Sequence, residues 1–215
     1  SIAMPEENSA INHLMVSIGN SENLKSASMV WTRTGGNPDA ESPRVVSLNG
    51  GELNEGITEN MLLKNRPNLV DDAVYDLQYF ASDFAGNNSD TVHVRNILYD
   101  VTPPVISILS PGNKTITALT NIKFSLSEDL AFGRIEWDGT GNDGESLLEL
   151  FELTAEAARA GSHESDTYVI PDLIDGGLYS ITISGTDPAG NDAVSVSITD
   201  YLLDRTPPEI SDLFP

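Results

Sequence analysis

Tyr179-Ser180-Ile181-Thr182-Ile183-Ser184-Gly185-Thr186 runs into Asp187-Pro188-Ala189-Gly190-Asn191 and then Val194-Ser195-Val196-Ser197-Ile198-Thr199. Apolar residues alternate with small polar ones on both sides of a cluster of turn formers. That is the period of two expected of half-buried strands joined in a β-hairpin. The same text stands 104 positions earlier: Tyr75, Leu77 and Tyr79, then Asp83-Phe84-Ala85-Gly86-Asn87, then Val92 and Val94.

The duplication extends in both directions. Leu69 matches Leu173, Asp100 matches Asp204, and Thr102-Pro103-Pro104 matches Thr206-Pro207-Pro208. Upstream the offset becomes 106, aligning Ser21-Glu22-Asn23-Leu24 with Ser127-Glu128-Asp129-Leu130 and Trp31 with Trp137. A unit of about 100 residues has the size of a complete domain, unlike a solenoid repeat of 20–50 residues that needs neighbours to bury its core. Two tandem domains are therefore expected, at 1–100 and 101–204, with 205–215 opening a third copy in a longer array.

Ile122 to Leu126 and Arg134 to Trp137 read as further strands, and turn signals recur every ten residues or so. The expected class is all-β, as two antiparallel sandwiches with core Trp residues on the third strand. Leu69 and Leu173 each precede a hairpin Tyr by six positions, the spacing of a tyrosine corner whose hydroxyl returns to nearby backbone. One stretch points elsewhere. Leu147 to Ala160 is rich in helix formers and ends at Gly161, which predicts a short helix in the second domain. Its counterpart, Leu48 to Gly56, predicts one helical turn at most.

Composition narrows the function. Among 215 residues, 33 are acidic and 11 basic, for a formal charge of −22. Such a field disfavours nucleic acid and anionic membrane surfaces and keeps a long monomeric molecule soluble. No cysteine is present, so disulfides, thiolate nucleophiles and Cys-bound metals are excluded. No apolar run approaches the roughly 18 residues of a membrane span. His13, His93 and His163 share no spacing, and no nucleophile-elbow, phosphate-loop or zinc-protease motif occurs, so an enzyme is not expected.

Tyr-x-Φ-x-Φ with Asp-x-Ala-Gly-Asn, then a strand, then Asp-x-Thr-Pro-Pro resembles the bacterial Ig-like repeats of large exported surface and adhesin-type proteins, with fibronectin type III-like modules as structural cousins. The resemblance covers both repeats. It implies two Ig-like sandwiches serving as an extracellular or cell-surface spacer that projects a functional head, with neighbouring repeats as partners. The alternative is an adhesive module that recognises a glycan or protein through its variable loops. Gly35 to Ile57 against Gly139 to Gly161 is where the copies diverge most.

In an Ig-like sandwich the B–C and F–G loops share one end. That topology would gather Glu128, Asp129, Asp187 and Asn191 with Asp100, a hard oxygen-only set suited to Ca²⁺. The other reading of the same residues is a turn in which Asp and Asn bond local backbone, followed by a linker stiffened by proline. Asp138 to Gly144 with Glu149 echoes a calcium loop, but its glycine falls at position seven instead of six, so a hairpin turn is expected there.

Overall fold

The computed structural model describes residues 2–141, 144, 146–164, 168–169 and 172–210. It divides into two compact units, Ser1–Thr102 with Pro188–Asn191, and Pro103–Asp187 with Asp192–Pro215. The first contains β1 (Ile2–Met4), β2 (Ala10–Ile11), β3 (Met15–Asn20), β4 (Leu24–Gly36), β5 (Arg44–Ser47), β6 (Gly56–Leu62), β7 (Ala73–Asp83) and β8 (Val92–Tyr99). They form one sheet in the order β1-β3-β6 and another in the order β2-β8-β7-β4-β5. The second unit repeats the plan with β9 (Ile106–Ser110), β10 (Ile116–Thr117), β11 (Lys123–Leu126), β12 (Phe132–Thr140), β13 (Ser146–Glu152), β14 (Gly161–His163), β15 (Leu178–Thr186) and β16 (Val196–Leu203). Its sheets run β14-β11-β9 and β10-β16-β15-β12-β13. Each unit is thus a three-on-five β-sandwich.

Alternation becomes packing directly. In β15 the buried residues are Tyr179, Ile181, Ile183 and Gly185, while Ser180, Thr182 and Ser184 face the other way. Trp31 and Trp137 are wholly enclosed, each beside its hairpin Tyr in an edge-on pair: 6.4 Å and 81° for Trp31–Tyr75, 6.3 Å and 83° for Trp137–Tyr179. Edge-to-face rings add to the area they bury. The tyrosine corner forms in both units, with Val70 N donating to the Tyr75 hydroxyl and Ile174 N to that of Tyr179, both at 3.0 Å. Gly86 and Gly190, at φ of 93° and 94°, supply the left-handed residue that closes each hairpin turn.

The helix expected over Leu147 to Ala160 does not form, which corrects the sequence reading. Ser146–Glu152 is β13, and it pairs antiparallel with β12 so that Phe151 lies opposite Ile135, Leu150 opposite Glu136 and Leu148 opposite Asp138. Pairing with a distant strand overrides local helix propensity. One turn remains, closed by Ala158 N to Thr154 O at 2.9 Å, and it drives Ala157 into the core. The first unit has a single 3-10 turn, Gly50–Leu53, at the corresponding place.

Of the calcium-loop echo, Asp138 and Thr140 lie within β12 and Glu149 within β13, while residues 142 and 143 fall outside the described residues. The proposed third copy has no strand over 205–210, and 211–215 also fall outside them. No helix among the described residues is long and apolar enough to cross a membrane.

Candidate functional site

The residues that matter beyond the cores are carboxylates at strand ends. In the first unit Asp100 follows β8, and Asp71 and Asp72 lie in the turn before β7. Carboxylate oxygens of all three lie within 4.8 Å of one another. Asp71 accepts Val101 N at 2.7 Å and the Thr102 hydroxyl at 2.5 Å, and Asp100 accepts Thr102 N at 3.0 Å. These donors hold the Asp71 carboxyl below its ordinary range, the Thr102 hydroxyl contributing most.

The second unit repeats the arrangement. Asp175 accepts Arg205 N at 2.6 Å and the Thr206 hydroxyl at 2.7 Å, and Asp204 accepts Thr206 N at 3.1 Å. The Asp175 carboxyl is also lowered, chiefly by Arg205 N.

The expected ligands have separate fates. Glu128 and Asp187, both in the second unit, bring carboxylate oxygens within 4.8 Å of each other, with Asp187 buried. Asp129 turns to the loop after β13, where its Oδ1 accepts Ala160 N at 2.7 Å. Asn191, in the short segment that groups with the first unit, donates Nδ2 to Asp100 O at 3.0 Å and accepts Asn12 Nδ2 at 3.1 Å. In the first repeat, Asp83 bonds both the backbone N and the side-chain Nδ2 of Asn87 at 2.8 Å, a closed turn built from the motif's own residues. The donors are oxygens throughout, which fits Ca²⁺ and not Zn²⁺.

Asp71 and Asp175 are absent from the expected set, although both stand at the same repeat offset behind Leu69-Val70 and Leu173-Ile174. That duplication was the signal that could have found them.

A second polar cluster belongs to the first unit alone. Asp39, whose side chain is 1% exposed, binds Arg44 through Nε at 2.7 Å and Nη2 at 2.8 Å, and accepts the Tyr75 hydroxyl at 2.8 Å. Its carboxyl is held down at about 2, first by Arg44. This cluster supports the tyrosine corner and has the character of core structure.

No curated protein matches the chain. Solved structures similar to it include the following two. Fibronectin(III)-like modules of Clostridium thermocellum CbhA are 13% identical over 99% of each chain, with a TM-score of 0.41. A tetra-tandem repeat in the extending region of a large adhesion protein is 17% identical over 88% of this chain and 47% of that one, with a TM-score of 0.31. The family described as bacterial Ig-like domain (group 3) matches residues 67–211, more than half of the chain. With that match and two sandwiches of the expected topology, the chain belongs to the bacterial Ig-like domain family.

Proposed function

We propose that the chain is a load-bearing spacer of an exported, cell-surface protein, built of non-catalytic repeats whose partners are further repeats of the same chain. One observation carries this reading. In each unit a short strand near the chain's entry runs parallel to the exit strand: β2 along β8, and β10 along β16. The bonds repeat: Leu98 N to Ser9 O and Asp100 N to Ile11 O, then Leu202 N to Thr115 O and Asp204 N to Thr117 O, all 2.9 Å. A pull on the two ends of a unit loads such a parallel pair in shear, so its bonds must fail together instead of peeling one by one. Resistance to forced unfolding is set by the barrier to that step.

Single-molecule stretching tests it. Two unfolding steps are expected, each freeing about 330 Å for roughly 100 residues. Unfolding at the low forces typical of a peeled hairpin would sink the load-bearing role.

Calcium belongs to the same reading as a proposal, with Asp100 a candidate carboxylate ligand in the first unit and Glu128 and Asp187 candidate ligands in the second. A second reading, adhesive recognition of a glycan or protein, is favoured by the difference between the copies after each Trp. The first unit has a four-residue edge strand and a 3-10 turn there, and the second a seven-residue edge strand. Recognition is commonly placed where a scaffold varies. A binding screen against glycans and surface proteins tests it, and silence from folded protein leaves the spacer alone.

A further inference from the structure

Strand β13 is an open edge of unusual make-up. It pairs with β12 on one side and, among the described residues, with no strand on the other. An edge strand leaves half of its backbone N–H and C=O groups facing outward, ready to pair with another extended chain. Proteins commonly blunt such edges with lysine, proline or short length. The equivalent edge of the first unit is blunted: β5 has four residues, follows Pro43, and has Arg44 clamped by Asp39 and Glu41. β13 has seven residues, Ser-Leu-Leu-Glu-Leu-Phe-Glu, with neither lysine nor proline.

Its side chains specify a partner. Leu148 and Leu150 lie on the outer face of the sheet, 57% and 52% exposed, opposite Asp138 and Glu136 of β12. Glu152 of the strand itself, on the same face as the leucines, is also exposed. Two adjacent leucines therefore sit among three carboxylates on that face, Asp138, Glu136 and Glu152. Arg134 answers them weakly, its guanidinium 3.8 Å from Glu136. A second copy of this chain, with its own charge of −22, would set these carboxylates against themselves.

We propose that β13 docks an extended, basic peptide segment that adds to the sheet as a further strand. Main-chain bonds to the open edge supply attachment, as in other strand-addition complexes. Lys or Arg stems on the incoming strand cover Leu148 and Leu150, and their charged heads meet the surrounding carboxylates. This does not depend on the spacer reading, and either can fail without the other.

The test uses the whole chain at physiological salt and two synthetic peptides, one alternating Lys with Val and one alternating Glu with Val. Amide NMR with hydrogen exchange is the readout. The basic peptide is expected to shift the β13 amides and protect them from exchange, while the acidic peptide does neither. The double variant Leu148→Lys/Leu150→Lys is expected to weaken binding by about tenfold or more at an unchanged melting temperature. If that variant folds poorly, Glu152→Lys, at an exposed position on the same face, is expected to weaken binding in the same direction. Three results would each overturn the proposal: shifts spread over the acidic surface without protection at β13, equal binding of both peptides, or a self-dimer through β13 that these substitutions abolish.

Discussion

Thr102 is held at both of its hydrogen-bond donors by two carboxylates of its own unit: Asp71 accepts its hydroxyl at 2.5 Å and Asp100 its backbone N–H at 3.0 Å. Thr206, Asp175 and Asp204 repeat the pattern in the second unit. Pro103 and Pro104 have no N–H, so Val101 and Thr102 carry the last backbone donors before the proline pair. Asp-x-Thr-Pro-Pro is thus a staple that fastens the end of the last strand to the turn inside the tyrosine corner.

Replacing Asp71 with Asn keeps the shape of the staple and removes its charge. One of its two acceptors becomes a donor facing Val101 N or the Thr102 hydroxyl. The expected loss is about 1 kcal/mol in the first repeat, at the low end for a charged hydrogen bond because the group is partly solvated. That corresponds to a fall of about 4–8 °C in the melting temperature of a domain this size. Combined with Thr102→Val the two losses should be strongly sub-additive, and simple additivity in the double-mutant cycle would refute the staple.

Acid should weaken the first repeat through Asp39. Its carboxyl stays ionised down to about 2 in the folded state, against an ordinary value of 3.8. The unfolded chain therefore binds a proton that the folded one refuses, and stability falls as pH drops. The contribution, about 2 kcal/mol, is complete above about pH 5 and is lost progressively between about pH 5 and pH 1. Urea midpoints across that range should fall less steeply for Asp39→Asn than for the unaltered chain. Parallel curves would remove Asp39 as the cause.

Periodicity and local spacing made much of this fold legible. Alternation marked β7, β15 and β16, the repeat marked the unit, and the Leu-to-Tyr spacing marked both corners, because each signal lies within a few neighbouring residues. What stayed hidden depends on distant partners. Leu147 to Glu152 has a helical composition, and only its pairing with Arg134 to Thr140 makes it a strand. Asp129 bonds the backbone of Ala160 in the turn after that strand, so misreading one misplaced the other. The bulges at Asn96 and Asp200, at φ of 59° and 58°, repeat at the 104-residue offset. Asn and Asp tolerate that left-handed conformation, yet neither residue type announces a bulge by itself.

The two tyrosine corners should differ in strength. Tyr179→Phe removes the acceptor of Ile174 N and should cost about 1 kcal/mol in the second repeat. Tyr75→Phe removes the acceptor of Val70 N and also a donor to the nearly inaccessible Asp39 carboxylate. Its cost should approach about 2 kcal/mol, since charged hydrogen bonds are the stronger kind. Separate melting of the two repeats, followed by NMR peaks from each, checks the order. Equal losses would mean that Arg44 alone satisfies Asp39.

Calcium should stabilise the folded chain if the strand-end carboxylates are ligands as well as staples. Asp71 and Asp100 in one unit, and Glu128 and Asp187 in the other, each hold carboxylate oxygens within 4.8 Å. Like charges at that spacing repel, and a bound divalent cation reverses the cost. Binding to the folded form alone adds about 2.7 kcal/mol at a hundredfold excess over the dissociation constant, on the order of 10 °C for a domain of this size. The measurement is the melting temperature of chelator-treated protein as calcium is added, with magnesium as the control. Asp187→Asn and Asp100→Ala should each reduce the rise. A melting temperature indifferent to calcium would leave these carboxylates as turn formers and staples, the roles that Asp83 and Asp71 already show with Asn87 and Thr102.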